Sequence, residues 1–146
     1  MTKPFSISPA EYADALNVMG DKINVLARRE TTGSYAITLV QGHEGNGPPP
    51  HSHQWDESFF VIRGEVEFTF EGKTKRAVTG TLVHFPAGTV HSFTFCKGGA
   101  DVLEITGEGT QAIEMFSALD REIAAGSNDL ARTAEVLEQN GVKLAI

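Results

Sequence analysis

Basic residues are scarce: twelve Lys and Arg stand against nineteen Asp and Glu, for a formal charge of −7. They are also scattered, whereas proteins that track a phosphate backbone use clustered cations to displace counterions. No nucleic-acid partner is expected. Cysteine occurs once, at Cys96; it cannot form an internal disulfide, and its neighbours Phe93 and Phe95 predict a buried, inert thiol. No apolar run approaches membrane-spanning length, and Met1-Thr2-Lys3-Pro4-Phe5-Ser6 lacks the apolar stretch of a signal peptide, so the expected location is the cytoplasm with no membrane contact. Internal repeats are absent. The one low-complexity run, Gly45-Asn46-Gly47-Pro48-Pro49-Pro50, predicts a rigid extended approach to the residues after it, because proline fixes φ and biases its predecessor towards extended conformations.

What is present is a globular composition, 40% apolar and 21% charged over 146 residues, which suits one domain built on one core. From about residue 22 to 107 short runs of Val, Ile, Phe and Thr are punctuated by Gly and Pro, the pattern of an all-β sandwich or barrel. Glu65 to Glu71 alternates cleanly, with Val66, Phe68 and Phe70 on one face, and Gly64 and Gly72-Lys73 as flanking turn material. Ser34 to Val40 and Ser92 to Cys96 read the same way. Ser58 to Ile62 is apolar on both faces, which predicts a strand covered on both sides, the outer cover being a second subunit of a homodimer. Beyond Gly107 the period lengthens. Ala112, Phe116, Leu119 and Ile123 predict one helix, and a second is expected from near Asp129, capped by Ser127 or Asn128, with Leu130, Ala134 and Leu137 inward and a stop at Asn140-Gly141. Pro9 to Met19 is expected to be a short helix opened by Ser8-Pro9.

Chemistry is concentrated in two segments. In the first, Gly45 is followed after five residues by His51-Ser52-His53, then by Glu57 and Gly64. Side chains alternate along an extended segment, so His51 and His53 project to the same side and can share one ion, with Glu57 brought to the same point across Gln54-Trp55-Asp56. In the second, Gly80 precedes Pro86-Ala87-Gly88 and His91, whose strand places its imidazole on the same face as Phe93 and Phe95. A buried imidazole is costly without a partner, and three of them with a carboxylate are most simply satisfied by a metal. His43 and His84 carry no comparable spacing and are expected to be ordinary hydrogen-bonded residues. Trp55 and Asp56 read equally well as surface loop or as the rim of a site. A three-nitrogen, one-oxygen set suits Fe(II), Mn(II), Ni(II), Co(II) or Zn(II), with iron favoured, and leaves positions open for a small-molecule substrate.

Both segments, glycines and Pro86 included, resemble the two motifs of the cupin superfamily, and the likeness extends over about residues 34 to 107. It implies a double-stranded β-helix, a jelly-roll barrel over about 22–107, with helices over about 111–140 packed outside, in a single cupin domain spanning 1–146. The Val102-Leu103-Glu104-Ile105-Thr106 strand and the helix after it are similar to small bacterial cupins related to quercetin dioxygenase. That implies a metal-dependent dioxygenase acting on an aromatic or enol/diol substrate. Glu57, one of the ligands, either stays bound or swings off to act as the catalytic base on a substrate hydroxyl. A non-oxidative lyase or isomerase acting on a carboxylate or sugar, and a non-catalytic binding module, remain open. One departure stands out: the second motif commonly ends in Asn, and here that position is Phe95.

Overall fold

The computed structural model describes residues 2–124 and 126–145. Among these the chain forms a 3-10 turn at Pro9–Glu11 and strands β1 (Leu16–Val18), β2 (Asp21–Ala27), β3 (Ala36–Gly42), β4 (His51–His53), β5 (Glu57–Phe70), β6 (Lys73–Ala77), β7 (Leu82–Phe85), β8 (His91–Thr106) and β9 (Val142–Leu144). Helices α1 (Arg29–Thr32), α2 (Ala112–Glu122) and α3 (Leu130–Gln139) complete it. All strand pairs are antiparallel.

The two long strands make the barrel. β5 and β8 pair along their whole length, from Glu57 opposite Thr106 to Phe70 opposite His91, with register shifts between Val61 and Arg63 and between Gly64 and Val66. At those irregularities both strands turn a corner, as bulges do. Gly64 has φ +79, and a Cβ there would fall 2.4 Å from the Gly99 carbonyl oxygen, so only glycine lets the strands cross so closely. On one side of the corner β1, β2, β3, β8, β5 and β7 form a continuous sheet. On the other, β9, β4, β8, β5 and β6 form a second. The product is a curled jelly-roll with helices after it. The β5–β6 hairpin closes with Phe70 opposite Lys73, leaving Glu71 and Gly72 with φ of +52 and +72, a two-residue turn one place earlier than the expected Gly72-Lys73.

Alternation fixes what the barrel holds. Val66 and Phe68 are buried on the inner face of β5, and the Phe68 ring lies 5.3 Å from Phe59, 5.4 Å from Phe93 and 5.9 Å from Phe85. Such tilted ring clusters add to the stabilisation from area burial alone. A Phe68→Ala change is expected to destabilise the protein by about 3–5 kcal/mol, read from denaturant midpoints; a loss under about 1 kcal/mol would show that this cluster is not the core.

Three expectations about the N-terminal segment and α3 need correction. Pro9 to Met19 is not a helix: Glu11 caps the three-residue turn through Ser8, Tyr12 is extended, and Leu16 to Val18 pairs with β2. Asp129, rather than Ser127 or Asn128, caps α3, its carboxylate accepting from the Arg132 amide. Leu130, expected inward, is 76% exposed, and Thr133 and Val136 are the buried positions instead. On β5 Phe59, Val61, Val66 and Phe68 face the core, and Phe60 and Ile62, 40% and 45% exposed, point to the outer face. Between α2 and α3 a smaller apolar cluster of Ala118, Leu119, Ile123 and Val136 packs with Met115 and Leu137, and Asp120 accepts the Asn17 amide at 2.8 Å, tying α2 to β1.

Candidate metal centre

His51 and His53 lie on the same face of β4, Glu57 opens β5 and His91 opens β8. Pairing brings them together. His51 sits directly opposite His91, while Gly88 donates to the His53 carbonyl at 2.8 Å and Ala87 donates to the Asp56 carboxylate at 2.9 Å, so the Pro86-Ala87-Gly88 turn is fastened to the first segment. One potential ligand atom from each of the four residues lies within 4.8 Å of the others. All four side chains are buried, from 1% exposed at His91 to 8% at His51.

The hydrogen bonds decide which nitrogen faces inward. Nδ1 of His51 lies 2.8 Å from the Pro49 carbonyl, that of His53 3.0 Å from the Trp55 carbonyl, and that of His91 2.9 Å from the Thr89 carbonyl. A carbonyl only accepts, so each Nδ1 carries the proton and, in the neutral ring, each Nε2 keeps its lone pair. Yet Nε2 of His53 and of His91 point at the same oxygen, Glu57 Oε1, at 3.3 and 2.9 Å. Lone pairs converging on an anionic oxygen in a buried site call for a cation between them. This donor set fits a divalent transition metal, whose imidazole ligands commonly donate their other N–H to a carbonyl.

Burial works against charge on each of these groups, and the neighbours decide the outcome. For Glu57 burial pushes the carboxyl up, but without a metal, protonation of His53 and His91 at the nitrogens that face it supplies the positive charge instead, outweighs burial and holds the group at about 2. For His51 burial, reinforced by His91, pushes the imidazole down to about 4. An unfolded chain takes a proton on this ring near pH ~6.5. Between these values the unfolded state binds more protons, so the metal-free protein loses stability as pH falls from 6.5 towards 4. The expected contribution of His51 is about 3 kcal/mol, read as the change between pH 7 and 4 in wild type minus that in His51→Gln; identical pH profiles would contradict it.

Residues 38–106 match a family described as the cupin domain, a span that runs from β3 to the end of β8 and contains all four residues. Residues 38–106 of this chain form a cupin domain. It is 30% identical over 90 residues to quercetin 2,3-dioxygenase from Bacillus subtilis; the match covers 60% of this chain and 27% of that protein, so the cupin spans about a quarter of its relative's length. Two solved structures share the fold at lower identity. KdgF from Halomonas sp. superposes with a TM-score of 0.67 and 22% identity, over 77% of this chain and 99% of that one. Oxalate decarboxylase from Bacillus subtilis, an enzyme with Mn(II) centres, gives 0.60 and 21%, over 73% and 30%.

The rest of the cupin site follows from its packing. Phe95, in place of the motif's Asn, is buried, and its ring occupies the space a Cβ on Gly42 would need, 2.2 Å away. Its backbone exchanges bonds of 2.9 Å with Gly45 and Asn46, so main chain secures this strand end. Trp55 is buried and stacks on His53 at 4.4 Å and 8°, which fixes that ring's plane. Asp56 is structural, holding the Pro86 turn and accepting Gly107 through its carbonyl. His43 and His84 are exposed and lie outside the cluster; His84 bonds Ser58 at 2.8 Å. Cys96 is half-buried rather than buried, because its side chain alternates to the outside of β8, where it meets Arg76. One polar residue of the site was not anticipated: Glu104 is buried on the inner face of β8, accepts from Thr38 at 3.3 Å, and lies against Glu57. Burial first, then that neighbour, raise its carboxyl well above the usual range. Its signal was present, since period two places Val102, Glu104 and Thr106 on one face.

A cavity of about 600 Å³ opens from His51, His53 and Glu57 between the barrel mouth and helices α2 and α3.

Proposed function

We propose that this cupin binds one divalent transition metal, Fe(II) in preference to Mn, Ni, Co or Zn, through His51, His53, Glu57 and His91, and acts as a dioxygenase on a small enol or aromatic diol. The observation that carries the reading is the tautomer lock: three backbone carbonyls take the Nδ1 protons, leaving Nε2 lone pairs and a carboxylate around one point. Relationship to quercetin 2,3-dioxygenase supports the oxygenase class. When bound, the metal supplies Lewis acidity and redox capacity. The chain supplies the rest. Glu57 is the catalytic base, its carboxylate taking the substrate hydroxyl proton; Trp55 keeps the His53 ring in plane; Phe59 and Phe93 on the barrel wall and Met115 on α2 enclose the substrate and exclude water.

The test is oxygen consumption by Fe(II)-loaded protein with catechols and flavonols as candidate substrates. Uptake matching substrate loss is expected, and turnover that continues without O₂ would replace this reading with lyase or isomerase chemistry.

The proposal extends to assembly and compartment. Phe60 and Leu82 are paired neighbours on the outer face of β5 and β7, 40% and 62% exposed, and Ile62 continues the patch. A second copy covers this face in a homodimer. Phe60→Asp is expected to give monomers in light scattering where wild type gives dimers; equal masses would contradict this. The lone thiol suits the reducing cytoplasm.

A further inference from the structure

The cavity that reaches His51, His53 and Glu57 has a one-sided chemistry. Its walls are apolar: Phe93 from the barrel, Met115 and Leu119 from α2 and Leu137 from α3 all line it. Three acids line it as well, namely Asp21, Glu57 and Glu104, and among the described residues no Lys or Arg does. Asp21 is already committed, its carboxylate accepting from the His43 amide and from Asn46 Nδ2, both at 2.9 Å. The arginines of α1 and α2 face elsewhere, lining a separate cleft that holds Arg28, Arg29 and Arg121 together with Glu30, Glu114 and Glu122.

Two further residues mark where the cavity meets solvent. Met19 and Leu130 line it and yet are 42% and 76% exposed. Met19 also has φ +53, a conformation disfavoured for a side chain of its size. These apolar side chains carry the wall out to the surface from the β1–β2 turn and the first turn of α3. A cavity about 600 Å³ in size accepts a drug-sized molecule.

We infer that the substrate is an uncharged molecule with an oxygen-donor head directed at the four-residue cluster and an apolar body lying along α2 and α3 towards Met19 and Leu130, and that this lining rejects molecules whose body carries a carboxylate. The inference rests on the proposed metal site and names the substrate class for it. A carboxylate on the body, held away from the four-residue cluster by the length of the molecule, leaves its hydration shell and finds no Lys or Arg along α2 and α3 to pair with, which opposes binding. An alkyl body meets only groups that favour its burial, at roughly fourfold in affinity per fully buried methylene.

Three probes that share one head test this by calorimetric titration of Zn(II)-loaded protein without oxygen: catechol, 4-butylcatechol and 3-(3,4-dihydroxyphenyl)propionate. The butyl probe is expected to bind at least tenfold tighter than catechol, and the propionate more weakly than catechol. Leu137→Lys places a cation in the cavity and is expected to shift the ratio of propionate to butyl affinity at least tenfold towards the propionate. The wild-type series stands alone if that variant does not fold. Equal affinities, preference for the propionate in wild type, an unchanged ratio in a folded Leu137→Lys, or no measurable binding of the butyl probe would overturn the inference. Zinc and the absence of oxygen separate it from the dioxygenase reading. The expected order without oxygen uptake by iron-loaded protein sinks that reading alone, whereas uptake with a preference for the propionate sinks the inference alone.

Discussion

His91→Ala protein is expected to carry less than about one tenth of the metal bound by wild type. Loss of an outer hydrogen-bond partner alone commonly costs 10–100-fold in metal affinity, and loss of a ligand costs more. His91 is the most demanding member to remove: it is 1% exposed, its Nε2 lies 2.9 Å from Glu57, and its ring stacks on Phe85 at 4.4 Å. His53→Ala is expected to behave alike, since the same Glu57 oxygen faces its Nε2. His84→Ala provides the control, an exposed histidine on β7 outside the cluster. Elemental analysis of the three purified proteins reads the result, with circular dichroism to verify the fold. Full metal content in His91→Ala would remove that residue from the ligand set.

Glu57→Gln is expected to lower kcat by about 10²–10⁴-fold, the usual contribution of a positioned general base. The substitution keeps the shape of the side chain, so packing against His53 and His91 survives while the negative charge and the proton acceptor are lost. Glu57 enters as an acceptor rather than an acid because its neighbours hold it ionised, at about 2, although it is buried. The carboxylate therefore remains available as a proton acceptor throughout the neutral range. Oxygen uptake by the iron-loaded variant at saturating substrate measures the effect, and a rate within about threefold of wild type would exclude Glu57 as the base.

Much of this architecture is legible in the amino-acid sequence, and the reasons are local. Val66, Phe68 and Phe70 alternate against acids, so β5 declares its inner face; His51 and His53 sit two residues apart, so one strand serves both. The lengthened period of Ala112, Phe116 and Leu119 marks α2. What the sequence hides depends on contacts between distant residues. β9 is three residues long and exists because it pairs with β4, Val142 lying opposite His53; nothing in Val142-Lys143-Leu144 alone distinguishes it from loop. Leu130 fits a helical period that points it inward, yet it falls in the first turn of α3 at the cavity mouth, beyond the apolar cluster that covers Val136. Ser58 to Ile62 is legible as a two-faced strand, but only the sheet's curvature reveals that Phe60 and Ile62 are the residues β5 turns to the outside. Glu104 is readable by alternation but not by motif, because its role comes from lying beside Glu57.

Anomalous diffraction from crystals of the metal-loaded protein tests the central claim most directly. One peak is expected, within about 2.0–2.2 Å of Nε2 of His51, His53 and His91 and of a Glu57 carboxylate oxygen. A peak bound through Nδ1, displaced from any of the four, or absent from protein that elemental analysis shows to be loaded would contradict it.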